Sequence, residues 1–338
     1  MKISDIKPLG DKIRDNIERV IIGKPGEIMS ILAALLAGGH VLLEDVPGTG
    51  KTVLAKALAK SIDIGFRRVQ FTPDLLPSEL TGLNVYSPKT GDFNFRQGSL
   101  FTNILLADEI NRATPRTQSG LLESMEERQV SVDGKTYMLP TPYFVIATQN
   151  PVETQGTFPL PEAQLDRFLV QLKLGYPDEN ESVQILKRFV GDEGANPAEA
   201  NPAQAPILDS LMPVCSRDDL LSAIFTVRNV YMHNEVYRYI IRIAEATRIH
   251  ESVTLGVSTR GCIALARYAQ AYAALTGREF ATPDDIKSLA PQVFSHRLIL
   301  RGGRHSFQSH KVFGEILNSV APPVEDWPVP NEKGNRTR

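Results

Sequence analysis

The chain has 338 residues, a length that favours about two domains, and its 37 basic and 39 acidic residues leave a formal charge of -2. This near balance excludes a strong overall attraction to nucleic acid or anionic lipid, so either contact would need a local patch. Cys215 and Cys262 lie far apart without a Cys-x-x-Cys spacing, which argues against a disulfide framework or a zinc site. The longest apolar stretch is broken by Gly38, Gly39 and His40, and the N-terminus lacks a signal-peptide core. We therefore expect a cytoplasmic protein without a membrane span.

Short apolar runs alternate with helical patterns from Ile21 to about Leu174. The runs HVLL, FRRVQFT, NILLADE and YFVIATQN have the length and composition of strands, and amphipathic segments such as VLAKALAKSI lie between them. This order predicts an α/β unit with a mainly parallel sheet covered by helices on both faces.

The sequence after Tyr176 changes to a helical pattern. Segments such as NEVYRYIIRIAEATRI and TRGCIALARYAQAYAAL repeat apolar residues at i, i+3 and i+4. We expect an α/β core over 1–175 and a smaller all-α domain over 176–320. A stretch rich in Ala, Pro, Asn and Glu at 191–206 indicates a loop or linker, and 321–338 has the composition of a flexible tail.

Two segments of the first half predict β-hairpins. RQVSVDGKTYML alternates apolar and polar residues around Asp133 and Gly134, a pair that tolerates the positive φ angles of a type I′ turn. NVYSPKTGDFNF alternates less regularly, with its turn near Lys89 to Asp92. The pattern alone leaves open that both are decorations at a sheet edge.

The stretch EDVPGTGKTVL lies between a predicted strand and a predicted helix. Such a turn directs backbone N–H groups and the positive end of the helix dipole at one point, where an anion fits. Gly48 and Gly50 let the backbone close around phosphate oxygens, Lys51 reaches the β- and γ-phosphates, and Thr52 offers its hydroxyl to Mg²⁺. Asp45 stands where the strict motif has its leading glycine. The expected nucleotide-binding residues of this loop are Pro47, Gly48, Thr49, Gly50, Lys51, Thr52 and Val53.

Polar residues end two further apolar strands. Asp108 would hold Mg²⁺, usually through water, and Glu109 would polarise the attacking water, while Asn150 could contact the γ-phosphate. Taken alone, the acidic pair could be a helix cap and Asn150 a simple strand end. Because the carboxyl ends of parallel strands meet at one edge of a sheet, the three strand ends together predict an ATP site.

Two arginines could complete this site. Arg167 lies in LPEAQLDRF, and Arg260 lies in GVSTRG at the start of a helix. A guanidinium group stabilises the charge that develops on a transferred phosphoryl group better than an ammonium group does. Either residue could instead be a solvated surface arginine.

With these motifs the chain resembles the AAA+ ATPases and, within them, the MoxR family. The resemblance runs from about Val20 to about Leu300 and implies an AAA+ P-loop core with two hairpin inserts, followed by a helical lid. By position NVYSPKTGDFNF matches the helix-2 insert of the family and RQVSVDGKTYML matches the hairpin before its first sensor. In this branch of the AAA+ proteins such hairpins face the central pore or the partner. The segments that carry the resemblance are LAGGHVLLEDVPGTGKT, QFTPDLLPSELTG, LLADEINRATPRTQSGLLESMEE, ATQNPVETQGTFPLPEAQLDRF and GREFATPDDIKSLAPQVFSHRL.

The resemblance also implies roles for single residues. Asn150 corresponds to sensor 1, Arg167 to the arginine finger and Arg260 to sensor 2, and Gly23 would lie near the adenine. The usual GASPRA segment of the family reads GVSTRG here, with Thr259 and Gly261 in place of Pro and Ala, which allows a different local turn.

An arginine finger acts from a neighbouring subunit, so the resemblance implies a homo-oligomeric ring, expected to be a hexamer, that hydrolyses ATP with Mg²⁺. It further implies a chaperone-like ATPase that remodels, matures or activates partner complexes, with partners that carry a von Willebrand factor A domain. A nucleotide-gated scaffold with incidental turnover is an alternative. A DNA-acting motor is a weaker alternative, because the hairpins offer few basic residues.

Overall fold

The computed structural model describes residues 1–45, 48–89, 91–150, 156–190, 206–301 and 306–323. In its first half, strands and helices alternate as predicted. The strands are β1 (Val41–Glu44), β2 (Phe66–Gln70), β3 (Gly82–Tyr86), β4 (Phe93–Gln97), β5 (Ile104–Asp108), β6 (Gln129–Val132), β7 (Lys135–Met138), β8 (Phe144–Gln149) and β9 (Val170–Leu172). The helices are α1 (Ile6–Glu18), α2 (Pro25–Leu36), α3 (Lys51–Ile62), α4 (Pro77–Thr81), α5 (Pro115–Glu127) and α6 (Glu162–Leu165), with 3₁₀ turns at Ile3–Asp5 and Ile110–Arg112.

A parallel sheet in the order β2-β5-β8-β1-β9 forms the centre of this half. Its middle strands β1 and β5 are buried along their whole length, and β8 is buried up to Thr148, because helices cover both faces. Side chains alternate between two apolar clusters: Val41 and Leu43 face α1, α2 and α3, whereas Leu42 faces the cluster around α4 and α5. The α/β prediction is therefore confirmed. The order of the strands places the carboxyl ends of β1, β5 and β8 side by side.

The second half is mainly helical. Its helices are α7 (Glu179–Val190), α8 (Pro206–Asp209), α9 (Arg217–Thr226), α10 (Asn234–Ile249), α11 (Thr259–Leu275), α12 (Pro283–Phe294) and α13 (Ser306–Ser319), with 3₁₀ turns at Val227–Asn229 and Ser295–Arg297. Short strands tie the helix ends together: β10 (Tyr231–Met232) pairs with β12 (Phe280–Ala281), and β11 (Val253–Leu255) pairs with β13 (Ile299–Leu300). Pro206, the last residue of the predicted linker, begins α8, while 191–205 and 324–338 lie outside the described residues.

The N-terminal helix connects the two halves. A Cβ atom at Gly10 of α1 would lie 2.4 Å from the Leu275 side chain at the end of α11. Asn16 Nδ2 donates to Ser61 Oγ of α3 at 2.9 Å and to the Met212 carbonyl at 3.1 Å. Because one apolar cluster continues from the sheet into the helical half, the division near residue 175 remains our proposal.

The two predicted hairpins form and pack against each other. Asp133 and Gly134 have φ angles of 50° and 77°, as a type I′ turn requires. The Phe95 and Tyr137 rings stack with centroids 3.9 Å apart, and Asn84 Nδ2 donates to Asp133 Oδ2 at 2.6 Å. Each hairpin forms a two-stranded sheet separate from the central one. We call β3, β4, β6 and β7 together the hairpin unit; its exposed apolar side chains are Leu83, Val85, Tyr86, Phe93 and Met138.

Both cysteines are buried free thiols. Burial raises the pKa of the Cys215 thiol to about 11, so it is protonated at neutral pH. Within the ranges that the structure describes, no helix has the length and hydropathy to cross a bilayer.

Candidate functional site

The glycine-rich loop after β1 has the backbone shape that its sequence predicts. Gly48 and Gly50 have φ angles of 86° and 85°, in the left-handed region that favours glycine, and α3 begins directly afterwards at Lys51. Lys51 Nζ donates to the Asp45 carbonyl across the loop at 3.2 Å. Thr52 and Val53 follow in the first turn of α3. Pro47 lies outside the described residues.

Asp45, which departs from the strict motif, has a structural role that sequence reasoning missed. Its carboxylate accepts hydrogen bonds from the backbone N–H groups of Leu174 and Gly175, at 3.1 and 3.0 Å. These bonds join the end of β1 to the chain that leaves β9. A glycine at this position could not make them.

Asp108 ends β5 at the same edge of the sheet as the loop. Its Oδ1 accepts a hydrogen bond from Thr148 Oγ1 of β8 at 2.6 Å. Its Oδ2 accepts two bonds from the Arg68 guanidinium of β2, at 2.7 and 3.1 Å. Thr148 and Arg68 were not predicted, because only the strand order shows that β2 and β8 flank β5.

Glu109 is oriented by contacts with β2 and with its own turn. Its φ angle of 56° is unusual for a residue with a side chain. Glu109 Oε2 accepts a hydrogen bond from Gln70 Nε2 at 2.7 Å and forms an ion pair with Arg112 Nε at 3.1 Å. Its backbone N–H donates to Thr148 Oγ1 at 2.8 Å. The carboxylate is therefore held beside Asp108 at the end of β2.

Asn150 and the segment that carries Gly23 both lie near the glycine loop, since a Cβ atom at Gly50 would lie 3.9 Å from Ile21 Cδ1. Asn150 is buried directly after β8, between the strand that leads to Asp108 and the strand that leads to the glycine loop. Gly23 contacts α7, where a Cβ atom would overlap the Glu181 carboxylate, and Arg188 Nη1 of α7 donates to the Val20 carbonyl at 2.8 Å. The structure thus groups Lys51, Asp108, Glu109 and Asn150 at one sheet edge, with Gly23 covered by α7.

The donors at this edge fit Mg²⁺. Asp108 and Thr52 offer a carboxylate and a hydroxyl, the hard oxygen ligands that Mg²⁺ takes, with its other positions filled by water and phosphate. Across the described parts of the chain, no three His, Cys, Asp or Glu side chains form a cluster that could hold a metal. At a nucleotide site, phosphate oxygens complete a donor set of this kind.

Arg167 and Arg260 come together at the opposite edge. Arg167 Nε lies 3.2 Å from Glu126 Oε2, and Arg260 Nη2 donates to Glu126 Oε1. Their side chains are 30% and 50% exposed. Arg167 precedes β9, and His40, which precedes β1, lines the same cavity of about 260 Å³. The two arginines therefore lie at the amino ends of the strands, away from Lys51 of the same chain.

This cavity, which we call the arginine cavity, is strongly basic. The arginines that line it are Arg128, Arg167, Arg260, Arg267 and Arg297, and its acidic residues are Glu126 and Asp166. Burial lowers the pKa of Arg128, as do the nearby positive charges of Arg228 and Arg267. Such a surface favours an anion as its ligand.

His40 closes the wall of the arginine cavity as a neutral side chain. Its Nε2 lies 3.0 Å from the Met125 carbonyl and its Nδ1 lies 3.0 Å from the Val145 N–H, so Nε2 carries the proton and Nδ1 accepts. Burial lowers the pKa of His40 from 6.5 to about 4. The ring links the end of α5, which carries Glu126, to β8.

The GVSTRG segment keeps a regular helix start despite its unusual sequence. Ser258 accepts a hydrogen bond from the Gly261 N–H as the N-cap of α11. A Cβ atom at Gly261 would lie 2.7 Å from Val257 Cγ1 and 3.1 Å from Arg297 Cδ. Where GASPRA has alanine at both positions, this chain has a larger Val257 and a smaller Gly261. The two changes compensate for each other in volume.

A parallel sheet that presents a glycine-lysine loop, an acidic pair and an asparagine at one edge, with a helical lid behind it, defines a P-loop ATPase of the AAA+ class. Comparisons agree with this class. Residues 40–170 match the family model "ATPase family associated with various cellular activities (AAA)", and residues 245–320 match the model "AAA lid domain".

Whole-chain relatives narrow the class. The chain is 49% identical over 323 residues to the uncharacterised protein YeaC of Bacillus subtilis, covering 95% of this chain and 97% of YeaC. It is 38% identical over 318 residues to Chaperone MoxR1 of Mycobacterium tuberculosis, covering 91% of this chain and 80% of MoxR1. The crystal structure of a protein from Cytophaga hutchinsonii, classed as an ATPase, superposes with a TM-score of 0.83 at 35% identity, covering 95% of this chain and 97% of that one. The chain belongs to the MoxR family of AAA+ ATPases.

Proposed function

We propose that this chain is a Mg²⁺-dependent, chaperone-like ATPase that hydrolyses ATP to ADP and phosphate in order to remodel, mature or activate partner protein complexes. The observation that carries the proposal is the meeting of three strand ends at one edge: the loop of Lys51, the acidic pair of Asp108 and Glu109, and Asn150. This arrangement supplies phosphate binding, metal binding and water activation together.

Each residue has a role in this proposal. The N–H groups of 48–53 and Lys51 bind the triphosphate, and Gly23 lies near the adenine. Thr52 and Asp108 would hold Mg²⁺, which would neutralise charge on the phosphates. Glu109 polarises the attacking water, and Asn150 helps to position it.

We propose that Arg167 and Arg260 act on the nucleotide of a neighbouring protomer. Support comes from their position: both contact Glu126 at the amino ends of the strands, whereas the glycine loop lies at the carboxyl ends. A protomer that supplies these residues to its neighbour must assemble head to tail, and such an interface forms a ring when the rotation between protomers closes. We propose a hexamer with one ATP site at each interface.

We propose a protein as the client, with von Willebrand factor A domain proteins as the partner class. The hairpin unit supports a protein client because it exposes apolar side chains, with Phe93 70% and Met138 68% exposed. The name of the relative Chaperone MoxR1 agrees with such a role. Nucleic acid is not proposed as a ligand. We propose a cytoplasmic location, in keeping with the two free buried thiols.

The test compares the wild type with Glu109→Gln. The variant keeps the size of the side chain but loses the base, so we expect ATP binding to be retained and turnover to fall by about 10²- to 10³-fold. The matched control is Glu123→Gln on the exposed face of α5, for which turnover should not change.

Wild-type turnover in Glu109→Gln would refute the role of Glu109. If a non-hydrolysable ATP analogue alone supported both capture and release of a client, the nucleotide-gated scaffold would replace the remodelling ATPase.

A further inference from the structure

Arg297 is a buried cation within the lid. It ends the 3₁₀ turn that follows α12, and its side chain is 3% exposed. Burial lowers the pKa of its guanidinium below the usual value, although the neighbouring Asp166 carboxylate acts in the opposite direction. A guanidinium is retained in such a place only when its N–H groups find acceptors of good geometry.

Those acceptors come mainly from the segment that carries Arg167. Arg297 Nε donates to Asp166 Oδ1 at 2.7 Å, and Nη2 donates to the Phe168 carbonyl at 2.6 Å and to the Asp166 carbonyl at 3.2 Å. Nη1 donates to the Leu169 carbonyl at 3.2 Å. Arg297 thus binds the residues on both sides of Arg167 and leaves the Arg167 side chain with Glu126.

Asp166 also contacts the helix that carries Arg260. Ser258 Oγ, the N-cap of α11, donates to Asp166 Oδ2 at 3.4 Å. Gly261 brings the first turn of α11 against the Arg297 stem. The Asp166 carboxylate therefore binds the 3₁₀ turn Ser295–Arg297, which we call the lid turn, with Oδ1 and the start of α11 with Oδ2.

We propose that Asp166 and Arg297 form a latch between the lid and the segment before β9 that positions Arg167 and Arg260 as one unit toward the nucleotide of the neighbouring protomer. Two guanidinium groups directed at one phosphoryl group repel each other, so they need a rigid support. Arg297 is too deeply buried to reach a neighbour, which makes it a positioning residue. This inference rests on the proposed function.

The first experiment uses Asp166→Asn, which preserves the shape of the side chain but leaves the buried guanidinium without its carboxylate. We expect kcat to fall by about 10- to 50-fold. The KM for ATP and the Kd for ATP should stay within about twofold, because the phosphate loop lies at the other edge of the sheet.

The matched control is Asp285→Asn, which breaks another arginine–aspartate pair of the lid, with Arg278 Nη1 2.6 Å from Asp285 Oδ2. This change should lower the melting temperature and leave kcat unaltered. An equal loss of kcat in Asp285→Asn would show general lid damage and overturn the latch.

The second experiment mixes Asp166→Asn subunits with Glu109→Gln subunits. The first carry intact ATP sites and the second carry intact arginines, so turnover should rise above that of either variant, to about a quarter of the wild type in an equal mixture. Failure to recover would show that the two arginines do not act across an interface, which would overturn both the latch as stated and the proposed action on a neighbour. Should Asp166→Asn not fold, Arg297→Lys replaces it, with the same expected results.

The outcomes separate the two proposals. An inactive wild-type protein would refute the proposed ATPase itself. An active wild type, with Asp166→Asn equally active, would overturn the latch alone.

Discussion

The carboxyl ends and the amino ends of the central strands form two edges of the sheet, which carry different kinds of site. At the carboxyl edge, the residues that would bind and hydrolyse ATP lie on neighbouring strands of one α/β unit. At the amino edge, the arginine cavity draws side chains from α5, the segment before β9, α11 and the lid turn. The first edge is assembled by strand order alone, whereas the second exists only after the lid has docked.

The difference in assembly goes with a difference in charge. The carboxyl edge combines cations and carboxylates, including the Arg68–Asp108 pair at 2.7 Å. The arginine cavity has more arginines than acidic residues, and the carboxylate of Glu126 contacts both Arg167 and Arg260. The Glu126 carboxylate lies between the two guanidinium groups, in the position that a phosphoryl group bound by both arginines would take. We infer that one edge hydrolyses its own ATP and the other serves a neighbour.

The largest effect that would test this comparison is expected from Arg167→Ala. Loss of a guanidinium that stabilises the transferred phosphoryl group should lower kcat by about 10²- to 10³-fold. ATP affinity should change by less than about twofold, since the residue lies at the far edge of its own protomer. Arg238→Ala, on the exposed surface of α10, is the control. Loss of ATP binding by Arg167→Ala in dilute, unassembled protein, where no neighbour is present, would place the residue at its own nucleotide and break the comparison.

A smaller effect concerns acid stability, through His40 in the wall of the arginine cavity. Its pKa falls from 6.5 to about 4 on folding, so between these pH values the unfolded chain binds a proton that the native chain does not. The free energy of unfolding should therefore drop by about 3 kcal/mol from this group as pH falls from 6.5 to 4, with no such contribution to pH dependence above that range.

Denaturant unfolding of the wild type and of His40→Gln at several pH values measures this contribution. The stability advantage of the wild type over His40→Gln should shrink as the pH falls through this window. A difference that stays constant with pH would contradict it.

The smallest effect concerns the volume exchange at the start of α11. Gly261→Ala should crowd both Val257 and the Arg297 stem in the wild type, and the closer of these two contacts, that with Val257, is removed when Val257 is also alanine. We expect its effect on the free energy of unfolding to be about 1 kcal/mol more favourable in the Val257→Ala background. A double-mutant cycle measured by chemical denaturation tests this coupling, and additive effects would contradict it.

Several features could be predicted from sequence because their causes are local. Gly48 and Gly50 adopt positive φ angles, and Asp133 and Gly134 form the expected hairpin turn. Apolar runs with polar ends predicted which residues end the buried strands. The MoxR-family motifs correctly indicated the fold class. Asp45 was a local exception, since its partners lie about 130 positions later in the chain.

The sequence by itself determined the backbone of the phosphate loop, the buried strands and the polar residues that end them, because these depend on steric preferences and on periodicity over a few residues. Only the tertiary structure decided that Arg68 and Thr148 flank Asp108, that Gln70 holds Glu109, and that Asp166 and Arg297 join the lid to Arg167. These contacts join residues that are distant along the chain, and they arise only when strands and helices pack in one particular order.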